Sequence, residues 1–387
     1  MYSMVMFSSA VMAPVASGDI GVSPSAIGIY TPVMYFAAML SATAFSPLLE
    51  RYGPLRMSQV SLVLAAAGAA LAVTKLPWLV LAGAFLIGFG YGPITPASTM
   101  ILVPRVHERM RATILSVKQT GVPGGGALAG AVTALLVVQI GWQEAALMLA
   151  ACCVLLLVVI QPTHREFDRG AGARASCAGG TLARVFEPLS MLVRYGDLRL
   201  LGICGFLYSG IQIGFATFLV VYLTQELGWG LVPAGGALAA GMITGVVGRV
   251  VWGAIADWIG GGGRLMGVLG LGMSAGALGL GVAQPEWPAL AIVACSVLVG
   301  GTSLGWNGVF VAEVARAAPK GKLAAATGAA LTLCYAGVVV MPSLLLLVYT
   351  LTGSYGSAFL FAAVSNLLPA AILLLRRAPE GGRRGSS

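Results

Sequence analysis

The chain has 387 residues, of which 58% are hydrophobic and only 9% are charged. A soluble domain carries roughly a quarter charged residues, so this composition excludes a water-soluble fold and requires a surface that faces mostly lipid. The net charge of +9 is compatible with nucleic-acid binding. The basic residues nevertheless form no continuous face and no nucleic-acid motif, and they cluster in alternate short loops. We therefore expect the lipid bilayer, and no nucleic acid, as a partner.

Twelve apolar runs follow one another along the chain, each near the length of about 20 residues that a membrane-spanning helix needs. None shows the alternation of polar and apolar residues that is typical of an outer-membrane strand. The pattern predicts an all-α membrane protein with twelve transmembrane helices in two pseudo-symmetric six-helix bundles. The predicted crossings are residues 1–16, 25–49, 57–74, 78–103, 112–138, 142–160, 200–223, 232–256, 265–282, 287–312, 323–350 and 354–375.

These runs divide the chain into four parts. We expect an N-terminal six-helix half over 1–160, a cytoplasmic linker over 161–199, a C-terminal six-helix half over 200–375 and a cytoplasmic tail over 376–387. Within the linker, residues 182–193 predict a short amphipathic helix. The first run begins at Met1 without a cytoplasmic flank and is short for a crossing, so we expect helix 1 to be truncated at its cytoplasmic end.

The loops between the runs differ in charge. Every arginine-bearing loop lies on one side of the predicted bundle, and the alternate loops contain a single lysine and no arginine. Because positively charged loops remain in the cytoplasm, both termini and the linker are predicted to be cytoplasmic, with the protein in the inner (plasma) membrane. One missed or additional crossing would break this alternation.

No catalytic constellation accompanies the helices. The two Gly-x-Ser-x-Gly segments around Ser274 and Ser303 resemble a serine-hydrolase elbow, but the two histidines, His107 and His164, fall in predicted cytoplasmic loops. The six cysteines have no metal-binding spacing. We expect no enzymatic activity, no cofactor and no metal. A monomer is expected, with a small-molecule substrate and a coupling proton or counter-anion as its other partners.

A related motif follows the second and the eighth run. The first copy contains Glu50, Arg51, Gly53 and Arg56, and the second contains Gly253, Asp257 and Gly260. A second similarity between the halves is that Gly90-Tyr91-Gly92 in the fourth run resembles Gly305-Trp306-Asn307-Gly308 in the tenth. Parallel six-helix halves are typical of one class of secondary transporter.

Over its whole length the chain resembles the major facilitator superfamily, whose loop 2–3 signature is G-x-L-x-D-R-x-G-R-[KR]. The matching residues are Leu48, Glu50, Arg51, Gly53 and Arg56, whereas Ser46 replaces the first Gly, Glu50 the Asp, and Pro54-Leu55 the usual basic pair. The resemblance implies two halves that rock around a central site, with an acid–arginine latch in this loop. Ala84 stands where proton-driven drug exporters of the family often have an arginine.

Two cations inside apolar runs are the strongest candidates for a substrate site. Lys118 lies in the fifth run and Arg249 in the eighth, and intramembrane cations usually face a bundle interior or a cavity. The placement of Arg249 resembles the helix-8 arginine of monocarboxylate and oxalate/formate porters, which contacts the substrate carboxylate. Two alternatives stay open: either cation could extend to the lipid headgroups, and Arg249 could instead bond to carbonyls of a neighbouring helix.

No run has an acidic residue at its centre, so the two cations favour an anionic solute. The sequence thus predicts a secondary transporter of a small organic anion, a carboxylate, working by alternating access. The predicted substrate-binding residues are Arg249, Lys118, Gln119, Gln212, Asn307 and Tyr335. The alternative function is export of neutral or cationic amphipathic compounds, which an acid deep in the cavity would have favoured.

Overall fold

The computed structural model describes residues 1–102, 105, 107, 117–168, 191–259, 262–319 and 323–375. Throughout these residues the regular secondary structure is helical. The tail 376–387 and most of the predicted amphipathic helix over 182–193 lie outside the described residues.

Ten α-helices have both ends within the described residues of the first half. A π-helical turn, Ala129–Thr133, joins α7 to α8, and Pro123 lies inside α7. The helices are α1 Tyr2–Ile20, α2 Ile27–Ala44, α3 Ser46–Tyr52, α4 Pro54–Ala72, α5 Pro77–Tyr91, α6 Ile94–Leu102, α7 Gly121–Leu128, α8 Ala134–Ile140, α9 Trp142–Ile160 and α10 His164–Phe167.

Seven α-helices have both ends within the described residues of the second half. The helix α11 begins four residues before the predicted crossing at residue 200 and continues to Gln225. The helices are α11 Gly196–Gln225, α12 Leu231–Trp258, α13 Gly263–Gly281, α14 Ala289–Ser303, α15 Asn307–Ala317, α16 Leu323–Thr352 and α17 Tyr355–Leu375.

Eleven helical segments among the described residues are long and apolar enough to cross a membrane. This confirms the expectation of an all-α, multi-pass membrane protein. The predicted second crossing, 25–49, corresponds to α2, which has 18 residues and is not among the eleven.

Several predicted crossings are interrupted, among them the fourth and the tenth. The fourth breaks between α5 and α6, where Pro93 follows Gly92, as expected of a residue that cannot donate a helical hydrogen bond. The tenth breaks between α14 and α15 over residues 304–306, a stretch without proline. A break in a membrane helix leaves backbone carbonyls that need other donors.

The helix pairs that connect the two halves include α1 with α11, α2 with α16, and α7 with α12. The π-helical turn that follows α7 approaches α12 so closely that no side chain fits between them. A Cβ added at Gly130, in the π-helical turn, would meet the backbone of Gly235 and Ala239. Thr31 and Thr217 form a second contact, with their buried hydroxyls 3.3 Å apart.

Candidate functional site

Arg249 connects the two halves of the protein. It lies on α12 and is partly buried. Its Nε donates to the carbonyl oxygen of Leu304 in the second half, at 2.9 Å, and its Nη1 donates to the carbonyl oxygen of Gln119 in the first half, also at 2.9 Å. The guanidinium therefore bridges the fifth, eighth and tenth predicted crossings.

Both acceptors lie where a helix is interrupted. In an α-helix the carbonyl of Gln119 would accept from the amide of residue 123, but that residue is Pro123, which has no N–H. Leu304 lies in the break between α14 and α15. Buried carbonyls need hydrogen-bond donors. Arg249 supplies a donor to each of the two carbonyls that lie at these interruptions.

The sequence left open that Arg249 bonds to carbonyls of neighbouring helices, and the structure has this arrangement. Two of the five N–H donors of the guanidinium are engaged with these carbonyls. Among the described side chains, no carboxylate forms an ion pair with Arg249; the ion pairs there are Lys75–Asp19 and Arg316–Glu313. The positive charge thus faces carbonyl dipoles without a described counter-ion.

Lys118 is held within the first half. Its Nζ donates to the carbonyl oxygen of Thr95 in α6, at 3.1 Å. Lys118 precedes Gln119, so the two predicted cations bond at adjoining positions of the fifth crossing, Lys118 through its own side chain and Arg249 through the Gln119 carbonyl. The side chain of Gln119 itself is exposed.

Gln212 and Asn307 lie together, although they were predicted from separate runs. The Oε1 atom of Gln212 accepts from Nε1 of Trp306 at 3.2 Å and from Nδ2 of Asn307 at 3.4 Å. Asn307 also donates to the Leu304 carbonyl at 3.4 Å. This polar group therefore shares an acceptor with Arg249.

Tyr91 lies near the candidate site, and the sequence did not predict it as a substrate-binding residue. It lies close enough to both Arg249 and Tyr335 for electrostatic interaction. Its ring lies 5.9 Å from that of Tyr2, centroid to centroid, and Tyr335 is 55% exposed. The signal available in the sequence was the position of Tyr91 immediately before the Gly92-Pro93 interruption.

The signature loop contains a cap that the sequence did not predict. Gly53, between α3 and α4, has a φ of 92°. Asp168 accepts from the backbone N–H of Leu55 at 2.8 Å and from that of Arg56 at 3.1 Å, and so caps the N-terminus of α4. A Cβ at Gly53 would collide with the Asp168 carboxylate. This glycine is thus required both by its backbone angle and by its neighbour.

Of the remaining motif residues, the structure describes Arg51, Arg56 and Gly253. Arg51 and Arg56 are exposed, and Arg56 donates to Oε1 of Gln59 at 3.3 Å. A Cβ at Gly253 would meet nothing within 4 Å. The side chains of Glu50 and Asp257, and the whole of Gly260, lie outside the described residues, so the predicted acid–arginine latch stays a prediction.

The other features of the sequence do not form a second reactive site among the described residues. Ser274 and Ser303 are buried there, and their hydroxyls have no hydrogen-bond partner that could act as a base. A cavity of about 230 Å³ lies in the first half, lined mainly by apolar residues of α1, α2, α5 and α9. None of the predicted substrate-binding residues lines it.

The sequence matches the family model of the Major Facilitator Superfamily over residues 1–342. The chain belongs to the major facilitator superfamily. It is therefore a multi-pass membrane transporter and not an enzyme, which confirms both expectations. A search of curated proteins finds no match by sequence.

Solved structures of the same fold extend over nearly the whole chain. A POT family transporter in complex with a thioalcohol-conjugated peptide has a TM-score of 0.74 at 14% identity, with 97% of this chain and 94% of that chain covered. A peptide transporter POT in complex with sulfate has a TM-score of 0.75 at 16% identity, covering 96% and 92%. A D-xylose–proton symporter has a TM-score of 0.72 at 12% identity, covering 97% and 96%. At these identities the likeness concerns the fold alone.

Proposed function

We propose that this superfamily member is a secondary transporter that carries a small organic anion, a carboxylate, by alternating access. Its twelve crossings comprise the eleven long segments and α2, arranged as two six-helix halves. Both termini and residues 161–199 lie in the cytoplasm, and the membrane is the inner (plasma) membrane, because the arginine-bearing loops share that side. A proton or a counter-anion provides the coupling.

The observation that carries this proposal is the environment of Arg249. Its guanidinium lies between the halves, bonded to two neutral carbonyls and without an ion-pair partner among the described side chains. A partly desolvated charge gains most from a counter-ion that forms short, charge-assisted hydrogen bonds. A carboxylate matches the planar guanidinium and forms stronger hydrogen bonds with it than a neutral carbonyl does.

The groups around Arg249 suit the rest of a small polar anion. Gln212 and Asn307 are amides linked to Arg249 through the Leu304 carbonyl. Tyr91 and Tyr335 provide phenolic hydroxyls, and Lys118 provides a second cation on the fifth crossing. The set contains two positive charges and no acid, so it favours an anion over an amine.

Two contacts between the halves lie near helix ends that the proposed topology places on the outer side of the membrane. Thr31 lies near the start of α2, Thr217 lies in the second half of α11, and Gly130 meets Gly235 near the start of α12. We infer that these contacts close the halves against each other on the outer side, as alternating access requires of one of its two end states.

A ligand-stabilisation screen tests the substrate class. Purified protein is heated with small mono- and dicarboxylates, amines or sugars, and its melting temperature is measured beside that of Arg249→Ala. We expect a set of carboxylates to raise the melting temperature of the wild type and not of the variant, each compared with the same protein without ligand. Stabilisation by amines alone would support the alternative function, export of cationic amphipathic compounds, and refute the proposed anion.

A further inference from the structure

Pro123 and Arg249 are connected through one carbonyl oxygen. Pro123 lies on α7 in the first half, and Arg249 lies on α12 in the second. The Gln119 carbonyl lies four residues before Pro123 and accepts from Nη1 of Arg249 at 2.9 Å. Because Pro123 has no N–H, the Gln119 carbonyl has no helical donor. It accepts instead from Arg249 of the other half.

This contact belongs to a row of contacts along one helix pair. Gly130 meets the backbone of Gly235, Gly126 faces Met242, and the Gln119 carbonyl meets Arg249. Gln119 lies about 16 Å from Gly130 along the fifth crossing, at a helical rise of about 1.5 Å per residue. The first two contacts are apolar or backbone approaches, so the Arg249 bond is the polar member of this row.

We propose that Pro123 is a positioning residue for Arg249. By removing the helical donor, Pro123 reserves the Gln119 carbonyl for the guanidinium, and the resulting bond holds α7 against α12 while the site contains no substrate. A carboxylate that binds Arg249 then competes with this carbonyl and releases the contact between the halves. The second part of the proposal rests on the proposed function; the first part does not.

This exchange can couple substrate binding to movement of the two halves, because Arg249 bonds either to the Gln119 carbonyl or to the substrate carboxylate. A neutral carbonyl is a weaker partner for a guanidinium than a carboxylate is, since only the carboxylate supplies both charge and bidentate geometry. The carbonyl bond is therefore strong enough to orient Arg249 and weak enough to be displaced. Without the bond the guanidinium would be free to adopt other rotamers, which costs affinity when a ligand must order it again.

Spin-label distances on the protein without ligand test the first part. Labels at Val117→Cys and Val250→Cys, both exposed positions beside the contact, are introduced with the native cysteines replaced, and the distance distribution is measured by pulsed electron resonance. In Pro123→Ala the restored N–H competes for the Gln119 carbonyl. We expect the ratio of long-distance to short-distance populations to rise by about tenfold, the equivalent of one charged hydrogen bond.

Two controls separate positioning from a general effect of proline on a helix. Pro342→Ala, at the proline inside α16, should leave the distribution unchanged. In an Arg249→Ala background, Pro123→Ala should add nothing, because the donor is already absent. An unchanged distribution in Pro123→Ala, or an equal shift with and without Arg249, would overturn the positioning role.

A third measurement separates this inference from the proposed function. Carboxylates are added to the labelled wild type, and we expect the long-distance population to increase with concentration. If Pro123→Ala shifts the distribution but no carboxylate does, the contact between Pro123 and Arg249 is retained and the proposed substrate class is wrong. If carboxylates shift the distribution equally in wild type and Pro123→Ala, the substrate class is retained and the role of Pro123 is wrong.

Discussion

The cap on α4 gives a prediction that concerns stability and is independent of the substrate. Asp168 accepts two backbone N–H groups at the start of this helix, those of Leu55 and Arg56. We expect Asp168→Ala to lower the free energy of unfolding, because both of these first-turn amides lose their acceptor.

The size of the effect follows from the geometry. Loss of an N-cap acceptor costs about 0.5–2 kcal/mol, and a carboxylate near a helix N-terminus contributes about 0.3–1 kcal/mol through the helix dipole. Asp168 is only partly buried, so the dipole contribution belongs at its lower end. We therefore expect a loss of about 1–2 kcal/mol for Asp168→Ala and about half as much for Asp168→Asn, which keeps one side-chain oxygen.

Gly53 supplies a coupled test of the same cap. A Cβ at this position meets the Asp168 carboxylate, and the φ of 92° is strained for any other residue. Gly53→Ala should cost about 2–3 kcal/mol, since backbone strain and the displaced cap both contribute. Combined with Asp168→Ala, the total should fall below the sum, because the alanine methyl no longer meets a carboxylate.

Equilibrium unfolding in mixed SDS micelles measures these differences. Glu166→Ala is the matched control, because Glu166 is an exposed carboxylate on the neighbouring helix α10. Its unfolding free energy should equal that of the wild type. The interpretation of Asp168 as a cap fails if Asp168→Ala and Glu166→Ala are indistinguishable, or if Gly53→Ala and Asp168→Ala are fully additive.

Three further predictions follow from the helix contacts and the loop charges. Gly130→Ala should reduce uptake and separate the halves, because its methyl group meets the backbone around Gly235. The control Gly124→Ala should be neutral, because a Cβ there meets nothing within 4 Å. Equal uptake by the two variants would contradict this prediction. Single cysteines at 144 and 226 should react with an impermeant thiol reagent from outside the cell, and labelling only from the cytoplasm would invert the topology. Tyr91→Phe should weaken carboxylate affinity about two- to tenfold through loss of one hydroxyl, and wild-type affinity would remove Tyr91 from the site.

Much of the fold could be predicted because lipid imposes a simple requirement. A helix that crosses a bilayer must be predominantly apolar over about 20 residues, so the runs showed where the helices are to within a few residues. The interruption before α15 was missed because nothing in Leu304, Gly305 and Trp306 prevents a helix. What the sequence does not show is that the Leu304 carbonyl accepts from Arg249 and from Asn307.

The site was only partly predictable for a related reason. Arg249 stood out because a charge within an apolar run is costly and therefore informative. Asp168 gave no such signal, because it lies among other charged residues of the linker and its role depends on how that segment folds back on α4. Tyr91 was hidden because an aromatic residue in a helix usually packs, and only the break beside it and its closeness to Arg249 distinguish it.

The central claim is that Arg249 binds the carboxylate of the substrate. Its most direct test is the dissociation constant of a stabilising carboxylate, measured by titration calorimetry on wild type, Arg249→Lys and Arg249→Ala at a temperature well below the melting temperature of each protein. We expect at least about tenfold weaker binding in Arg249→Lys, or about 1.4 kcal/mol, because lysine keeps the charge and loses the planar geometry, and no measurable binding in Arg249→Ala. Wild-type affinity in Arg249→Ala would contradict the account and leave Arg249 as a structural bridge between the halves.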